Sequence, residues 1–442
     1  MKIQLSDHFT YPRLIRFVIP SIVMMVFTSI YGVVDGLFVS NVVGKTALAA
    51  VNFIWPVVMS LGGIGFMIGT GGSAIVGQLL GEGREEKARS VFSLMIYSTL
   101  VLGIFFTVLG MFFLAPIARL LGAEGELLAE SLAYGRILLA GMTAFMLQNV
   151  FQSFLVTAER PNLGLVFTVA AGCTNILMDW ILVSVCELGV EGAALATILS
   201  YVVGGVIPLF YFVIFRKRAL YLTVCKIDFR AIWKAFSNGF SELLSNLAMS
   251  LVGVLYNYQL LRIIGEDGVA AYCVILYVNF IFISCFIGYA VGTAPIFSFH
   301  YGAGNSDELR NLYVKSLRLT AISGAVMLLI SILLSDPLNR MFVGYDEDLL
   351  QMTVRGFIIY AVAYLFSGVN IFASSFFTAL GDGLTSAILS FLRTMVFQVL
   401  ALFLLPIWMG EDGIWLSVVV AEGLSLVVSV IYLLAKRKRF GY

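Results

Sequence analysis

The sequence predicts an all-α integral membrane protein of twelve transmembrane helices in two parallel six-helix lobes. The first observation behind this prediction is composition: the 442 residues are 60% hydrophobic and only 12% charged, whereas soluble proteins are about 45–50% apolar and 25% charged. The second is that the apolar residues form long runs, and about 20 such residues cross the hydrocarbon core as a helix. The third is an internal duplication of the chain.

Breaks rich in charge, glycine or proline divide the chain into twelve apolar runs. The runs lack the alternating pattern of barrel strands, and unpaired backbone groups are too costly in lipid, so helices are the structure that fits. The expected spans are residues 14–39, 47–78, 90–115, 131–157, 163–187, 191–215, 231–262, 268–299, 309–335, 352–380, 383–409 and 412–435.

The internal duplication appears when the sequence is shifted by 221 residues. From about residue 44 to residue 195, one half then superimposes on the other without a gap, and identical residues recur on equivalent spans and loops. Chance does not readily place so many matches at one shift. Matching pairs include Gly44 and Gly265, Gly71 and Gly292, Gly81 and Gly302, Asn149 and Asn370, and Gly192 and Gly413.

Two halves with an even number of spans share their orientation in the membrane. They should be related by a pseudo-twofold axis along the membrane normal, which is a common plan for transporters with a cavity between the halves. We therefore expect an N-terminal lobe of residues 1–225 and a C-terminal lobe of residues 226–442. The basic stretch from Arg216 to Lys234 is the natural linker, and transport is the leading class of function.

The distribution of cations predicts the topology. Most of the 27 lysine and arginine residues fall on the side that carries both termini, as in the loop 84–89 and the tail 436–439, while the opposite loop at 124–130 is acidic. Because basic loops stay inside, we expect both termini in the cytoplasm. We also expect the protein to be a monomer, surrounded by the lipids of a bacterial inner membrane. The net charge of +1 gives no reason to expect nucleic acid as a partner.

Other chemistry has little support in the sequence. The five cysteines are odd in number and lack a CxxC pair, and His8 and His300 are far apart, so neither a disulfide framework nor a metal site is expected. The glycine-rich patches at 62–65 and 69–72 precede no P-loop lysine, which disfavours a nucleotide-driven pump. Beyond a pair of aspartates no catalytic cluster is visible. We expect a non-enzyme without a cofactor.

Ionisable residues inside the spans are the main functional candidates, because a charge at mid-membrane costs about 2.5–3.5 kcal/mol or more. Asn175 and Asp179 are four residues apart and share one helix face. Asp35 and Thr197 should lie at a similar depth in the outer half of the membrane. Two close carboxylates cannot both ionise cheaply, so one should hold a proton or both should bind a cation. Alternatively, Asp35 marks the interfacial end of its helix, and Asp179 bonds a neighbouring backbone group.

Three further features have weaker interpretations. Glu242 either faces the cavity and attracts cationic substrate or is an interfacial carboxylate. Arg393 and Glu422, on the last two spans, are expected to pair and fix the packing of the C-terminal half. Pro20 removes a helix hydrogen bond in the first span and permits a bend there, although such bends are common in membrane helices.

Several short motifs occur in a specific order along the chain. They are Pro20, Val34-Asp35-Gly36, the loop Gly81–Arg89 with its counterpart Tyr301–Asn305, Asn175 with Asp179, and Gly192–Thr197. Their order and spacing resemble the multidrug and toxic compound extrusion (MATE) family, over essentially the whole length of the chain. The resemblance implies a V-shaped pair of lobes that alternates between outward-open and inward-open states and exports drugs, often organic cations, in exchange for H⁺ or Na⁺.

The resemblance also implies roles for individual residues. In the DinF-like or MepA-like prokaryotic branch the cation-coupling residues correspond to Asp35, Asn175, Asp179 and Thr197, with Tyr134 in the nearby cavity. A C-lobe site of the NorM-like type would use Glu242, but span ten here contains no acidic residue.

One alternative from the same superfamily is a lipid-linked oligosaccharide flippase. Its cavity should carry several cations for a pyrophosphate. In this chain Arg393 is the only deep intramembrane cation.

Overall fold

In the computed structural model, the described residues are 3–38, 42, 43, 45–120, 122–216 and 219–442. Gly44 of the internal repeat and Lys217 and Arg218 of the basic linker lie outside them. Within this described part the chain folds into α-helices and short π-helical segments without a β-strand. The predicted all-α class is confirmed.

The N-terminal half begins with three long helices, followed by shorter ones. The second long helix ends before Gly83, whose φ of 73° is a left-handed conformation that glycine adopts without strain. The π-helical segments Trp180–Val185 and Val202–Val206 continue the sixth and seventh helices. The helices are α1 (Tyr11–Phe38), α2 (Lys45–Gly81), α3 (Glu85–Leu120), α4 (Gly125–Ala140), α5 (Met142–Thr157), α6 (Pro161–Asp179), α7 (Gly189–Tyr201) and α8 (Ile207–Ile214).

The C-terminal half repeats this plan. Gly304, with φ of 67°, occupies the loop position of Gly83, and the π-helical segment Leu392–Phe397 interrupts the penultimate span. The helices are α9 (Phe229–Ile263), α10 (Glu266–Gly302), α11 (Ser306–Val343), α12 (Glu347–Ala361), α13 (Tyr364–Ala379), α14 (Gly383–Phe391), α15 (Gln398–Met409), α16 (Glu411–Ala435) and α17 (Arg437–Phe440).

The described residues contain up to twelve candidate membrane spans, the number that the sequence predicts. Ten helical runs are long and apolar enough to cross a membrane, and the bent pairs α4–α5 and α12–α13 add one span each. The sequence predicted straight runs there, but the pairs bend by 54° and 48°. The breaks at Gly141 and Val362 are one repeat of 221 residues apart, and only the first has a glycine. The bend is therefore a feature of the repeat and does not depend on glycine.

Each half has its own hydrophobic core. In the N-terminal half, Tyr134, Leu138 and Met142 are buried in one cluster, while Phe282 and Trp415 belong to a separate cluster in the C-terminal half. Burying apolar area contributes about 25 cal/mol per Å², so each half has an independent source of packing energy. The boundary at 225/226 falls between α8 and α9 and stays a prediction.

The two halves meet through close contacts between α2 and both α9 and α10. A Cβ atom on Gly239 would lie 1.9 Å from the carbonyl oxygen of Met67, and one on Gly302 would lie 2.1 Å from that of Gln78. Small residues allow helix backbones to approach this closely. Toward the other end of α9, Gly253 has open space beside it. The contacts therefore concentrate on the side of loops 82–84 and 303–305.

A strap of residues 3–10 crosses the same side of the molecule. The backbone N–H of Leu5 donates to Glu159 Oε1 of the N-terminal half at 2.9 Å. The N–H of Phe9 donates to Glu308 Oε1 of α11 at 2.8 Å, and Lys315 Nζ donates to the Phe9 carbonyl at 2.6 Å. Leu5 and Phe9 are both buried. The strap thus links the halves where α2 and α10 already touch.

Asp382 connects the start of α14 to the end of α16. Its carboxylate accepts hydrogen bonds from the N–H and hydroxyl of Thr385 and from Lys436 Nζ. Burial opposes ionisation, but the hydrogen bonds from Lys436 and Thr385 outweigh it and hold the pKa of Asp382 below its ordinary 3.8. Because the folded-state pKa is depressed, this group stabilises the fold above pH 3.8 and loses that effect as pH falls through the folded pKa.

We expect Asp382→Asn to lower the stability at pH 7 by about 2 kcal/mol, because asparagine still caps α14 but no longer pairs with Lys436. The measurement is the melting temperature of the purified protein in detergent. Asp228→Asn is the matched control, since Asp228 caps α9 without an ion pair to any described residue. It should change stability by less than about 0.5 kcal/mol. Equal losses in the two variants would contradict the role of the ion pair.

Candidate functional site

The packing of α1 against α6 brings the candidate residues together. A Cβ atom on Gly172 would lie 2.4 Å from the ring of Phe27 and 2.8 Å from the ring of Tyr31, so glycine lets the two helices approach closely. Asp35 lies one helical turn beyond Tyr31, and Asn175 lies one turn beyond Ala171. Both helices run in the same direction from this contact. The carboxyl group of Asp35 therefore reaches the level of α6 that carries Asn175 and Asp179.

The Asp35 and Asp179 side chains, called the carboxylate pair below, interact with each other and with Asn175. Asp179 is fully buried, and no group of the described residues donates a hydrogen bond to either of its carboxylate oxygens. Asp35 Oδ1 and Asn175 Oδ1 are likewise buried and unpartnered. Burying an ionised carboxylate without a partner is very costly. This group of acceptor oxygens therefore requires a proton or a bound cation.

Three tyrosines surround the pair. Tyr134 of α4 is 1% exposed and lies near both Asp35 and Asp179. Tyr201 of α7 is 3% exposed, stacks on Phe145 at 4.6 Å, and lies near Asp35. Tyr31 contributes the third ring. The rings reduce contact with water, which strengthens the electrostatic interaction between the carboxylates.

The family resemblance implied Tyr134, whereas Tyr31, Tyr201 and Gln148 were not predicted from the sequence. Gln148 of α5 lies beside Tyr31 and fits against Gly204, where a Cβ atom would come within 2.8 Å of the Gln148 amide carbon. A signal did exist in the spacing. Tyr31 is one turn before Asp35, and Tyr201 is one turn after Thr197, so each shares a helix face with a predicted site residue.

Thr197 is buried on α7, which packs against α6. Its hydroxyl group donates to the carbonyl oxygen of Ala193 at 2.9 Å, and in the described part of the chain it forms no hydrogen bond with either carboxylate. The hydroxyl lone pairs remain available to a cation. The assignment of Thr197 to the cation site stays a prediction.

Two π-helical segments adjoin the site. One begins directly after Asp179 and the other directly after Tyr201. A π-helical turn shifts the backbone hydrogen-bond register and recurs at functional sites. Here each shift begins at the residue that follows a side chain of the site, Asp179 in one case and Tyr201 in the other.

Pro20 lies within a continuous α1, close to the point where the helix changes partners. Before and just after Pro20, α1 contacts α10 of the other half: a Cβ atom on Gly288 would lie 2.5 Å from Ile22 Cα. Further along, the same helix packs on Gly172 of α6. One helix thus contacts the C-terminal half and carries a carboxylate of the N-terminal half.

The C-terminal half contains a different polar group. Arg393 Nε donates to Glu422 Oε1 at 2.8 Å, which confirms the predicted pairing. Asn370 Nδ2 donates to the other carboxylate oxygen, Oε2, at 2.7 Å. Glu242 on α9 is half-buried and lies within electrostatic range of Arg393, although the two form no ion pair. The predicted substrate contact of Glu242 stays a prediction.

Comparison with known proteins identifies the family. The MatE family model matches the chain twice, over residues 20–181 and 243–404. The chain belongs to the MatE family. The two matches fall in the two halves, in agreement with the duplication. As a MatE protein, the chain is a transporter and not an enzyme, and the flippase alternative is not favoured.

Relatives of this MatE protein cover nearly its whole length. The multidrug export protein MepA of Staphylococcus saprophyticus is 24% identical over 439 residues, which cover 97% of this chain and 94% of the relative. Among solved structures, a MATE protein in complex with MaL6 and a multidrug resistance MATE family transporter in an outward-facing conformation each superimpose with a TM-score of 0.92. Both are 24% identical, over 97% of this chain and 96% of theirs.

Proposed function

We propose that this MatE protein exports organic cations from the cytoplasm across a bacterial inner membrane in exchange for H⁺ or Na⁺. The carboxylate pair carries the proposal, because Asp35 Oδ1 and both carboxylate oxygens of Asp179 are buried without a hydrogen-bond partner among the described residues. A single proton or sodium ion bound between the two carboxylates neutralises one of their two negative charges and relieves their repulsion. Asn175 and Thr197 contribute further oxygen atoms. No cofactor besides the coupling ion enters this mechanism.

Two other residues are assigned to the substrate cavity. Tyr134 presents an aromatic ring next to the carboxylate pair, and flat organic cations bind favourably to aromatic faces. Glu242 presents a carboxylate from α9 of the opposite half. The multidrug export relatives named above support a broad range of small-molecule substrates.

Coupling follows from the position of α1. Cation binding at Asp35 changes the charge at one end of this helix, while its Pro20 segment packs against α10 of the other half. Pro20 leaves one helix hydrogen bond unmade, which makes a bend there less costly. Binding of the cation then bends α1 and alters the contact between the halves. Substrate bound near Tyr134 is released as the pocket changes shape.

The inward ion gradient supplies the energy for this exchange. Exchange of one organic monocation for one H⁺ or Na⁺ moves no net charge, so a tenfold gradient of the ion supplies about 1.4 kcal/mol and about tenfold accumulation. If two ions enter per substrate, one net charge moves, and 100 mV adds about 2.3 kcal/mol.

With both termini in the cytoplasm, the side closed by the strap and the α2–α10 contact is the cytoplasmic one. The conformation is then open to the outside. The transporter is proposed to act as a monomer among membrane lipids.

Ethidium efflux from proteoliposomes under separately imposed H⁺ and Na⁺ gradients tests the proposal. We expect one gradient to accelerate efflux over that of protein-free liposomes and the other to have little effect. That result identifies the coupling ion. Efflux that is independent of both gradients would refute coupled export.

A further inference from the structure

The linker between the two halves is fixed to α3 by hydrogen bonds. Arg89 Nε donates to the carbonyl oxygen of Ala219 at 2.9 Å. The backbone N–H of Thr223 donates to Ser93 Oγ at 2.9 Å. The hydroxyl group of Tyr97 donates to the Thr223 carbonyl at 3.2 Å. Because these contacts fix the path of the linker, the segment that follows leaves α3 at a defined place.

That segment, residues 224–234, exposes large apolar side chains and is called the linker patch below. Val224 is 96% exposed, Ile227 70%, Phe229 78% and Trp233 75%. Phe229 and Trp233 are four residues apart at the start of α9 and share one face of the helix. Exposed apolar clusters of this kind mark interaction sites, since water is a poor environment for apolar surface. The linker patch therefore suits a partner with apolar groups.

The apolar side of the linker patch continues along α9. Phe240, Leu247 and Leu251 follow Trp233 at intervals of seven, seven and four residues, and all three are exposed. These intervals keep the side chains on one face of the helix. Asn238, on the opposite face, is buried and donates to a carbonyl group of α13. The exposed face is therefore the one that meets lipid, and Trp233 lies near its end, where tryptophan is enriched at the membrane–water interface.

Three cations border these apolar side chains. Lys226, Arg230 and Lys234 are exposed, and none of them forms an ion pair within the described part of the chain. Arg230 and Lys234 are four residues apart, so both lie on one side of α9. Asp228 is the only acidic residue in the sequence of the patch, and its carboxylate accepts two backbone N–H groups at the start of α9. The three positive charges are left for an anionic partner.

The equivalent segment of the N-terminal half has a different role. A shift of 221 residues places Leu5 opposite Lys226 and Phe9 opposite Arg230. Leu5 and Phe9 are both buried in the strap that links the halves. The repeat itself therefore requires neither cations nor exposed aromatic rings at these positions. The combination is specific to the linker patch.

We propose that the linker patch binds the headgroup of an anionic phospholipid in the leaflet on the side of the strap. The lipid phosphate accepts hydrogen bonds from Lys226, Arg230 and Lys234, while the rings of Phe229 and Trp233 lie against the upper part of the acyl chains. A phospholipid supplies both negative charge and apolar surface, whereas a free phosphate or a nucleic acid supplies no acyl chain. In the proposed orientation this leaflet is the cytoplasmic one.

Mass spectrometry of the intact purified transporter, titrated with lipid in detergent, tests this surface. The probes are phosphatidylglycerol and phosphatidylcholine with the same acyl chains, and the affinity for the first bound lipid is measured. We expect the wild type to prefer phosphatidylglycerol by about tenfold or more, because only this lipid carries a net negative charge. The Lys226→Gln/Arg230→Gln/Lys234→Gln variant should lose this preference. Equal affinity of the wild type for the two lipids would overturn the site.

Lys87→Gln/Arg310→Gln/Lys438→Gln is the matched control, because it removes three exposed cations outside the patch on the same side of the molecule. It should weaken phosphatidylglycerol by less than about threefold. A loss as large as that of the patch variant would indicate attraction to net charge alone and contradict the proposal. Phe229→Ser/Trp233→Ser keeps the patch cations and should weaken both lipids, and unchanged binding there would also contradict it. Failure of the proposed export would appear separately, as absence of gradient-driven ethidium efflux with these affinities unchanged.

Discussion

Replacing Asp35 or Asp179 with asparagine is expected to reduce gradient-driven ethidium efflux to the rate of protein-free liposomes. Asparagine has nearly the same shape as aspartate. Its amide does not take up a proton at physiological pH, and it offers no negative charge to a sodium ion. With one carboxylate gone, the remaining one no longer shares a proton across the pair. The measurement is the initial efflux rate from proteoliposomes under the gradient that drives the wild type.

The same substitutions should leave the fold intact. No described residue donates a hydrogen bond to the carboxylate oxygens of Asp179, so Asp179→Asn breaks no ion pair seen there and removes a costly buried charge. We expect a melting temperature equal to or above that of the wild type. Asp307→Asn, at an exposed acidic residue at the start of α11, is the control and should retain full efflux. Efflux that survives both Asp35→Asn and Asp179→Asn would move the coupling site elsewhere.

The second large effect is expected from Gly239→Ala. The added Cβ atom would lie 1.9 Å from the carbonyl oxygen of Met67, which is backbone and cannot rotate away. The α2 and α9 helices must separate to relieve this overlap, and overpacking of this kind costs about 1–3 kcal/mol. We expect the closed contact between the halves to lose population and efflux to fall about tenfold or more.

Spin labels at Glu82, in the loop after α2, and at Asp307, in the first turn of α11, report this separation as a longer distance between the labels. Gly253→Ala is the matched control on the same helix, because nothing lies within 4 Å of its added Cβ atom. It should give the wild-type distance distribution. If Gly239→Ala also gave that distribution, the close α2–α9 contact would not hold the halves together.

The sequence predicted those features whose alternatives would cost a large free energy in the membrane. Twelve apolar runs required twelve spans, because backbone groups must be satisfied within the bilayer. The pairing of Arg393 with Glu422 followed from the cost of isolated charges in the membrane. The spacing of Asn175 and Asp179 placed them on one helix face, and the packing of α1 on α6 then brought Asp35 to them.

Other features depend on contacts that no local pattern encodes. The bend at Val362 could not be predicted, because no glycine or proline lies at the break. The strap of residues 3–10 is a short polar segment before the first apolar run, and nothing in its sequence indicates that it contacts both halves. Tyr31 and Tyr201 are two of 19 tyrosines, and only the register of α1 and α7 selects them. The position of the π-helical turns depends on the backbone hydrogen-bond register, which similar apolar residues do not specify.

The central claim is that a cation bound at the carboxylate pair lowers the affinity of the cavity for substrate. Binding of tetraphenylphosphonium to the purified transporter, measured over a range of pH and Na⁺ concentration, tests it most directly. We expect the wild-type affinity to fall as either pH is lowered or Na⁺ is raised, and the Asp35→Asn/Asp179→Asn variant to bind with an affinity that neither condition changes. A double variant that kept the wild-type dependence on the same cation would contradict the claim.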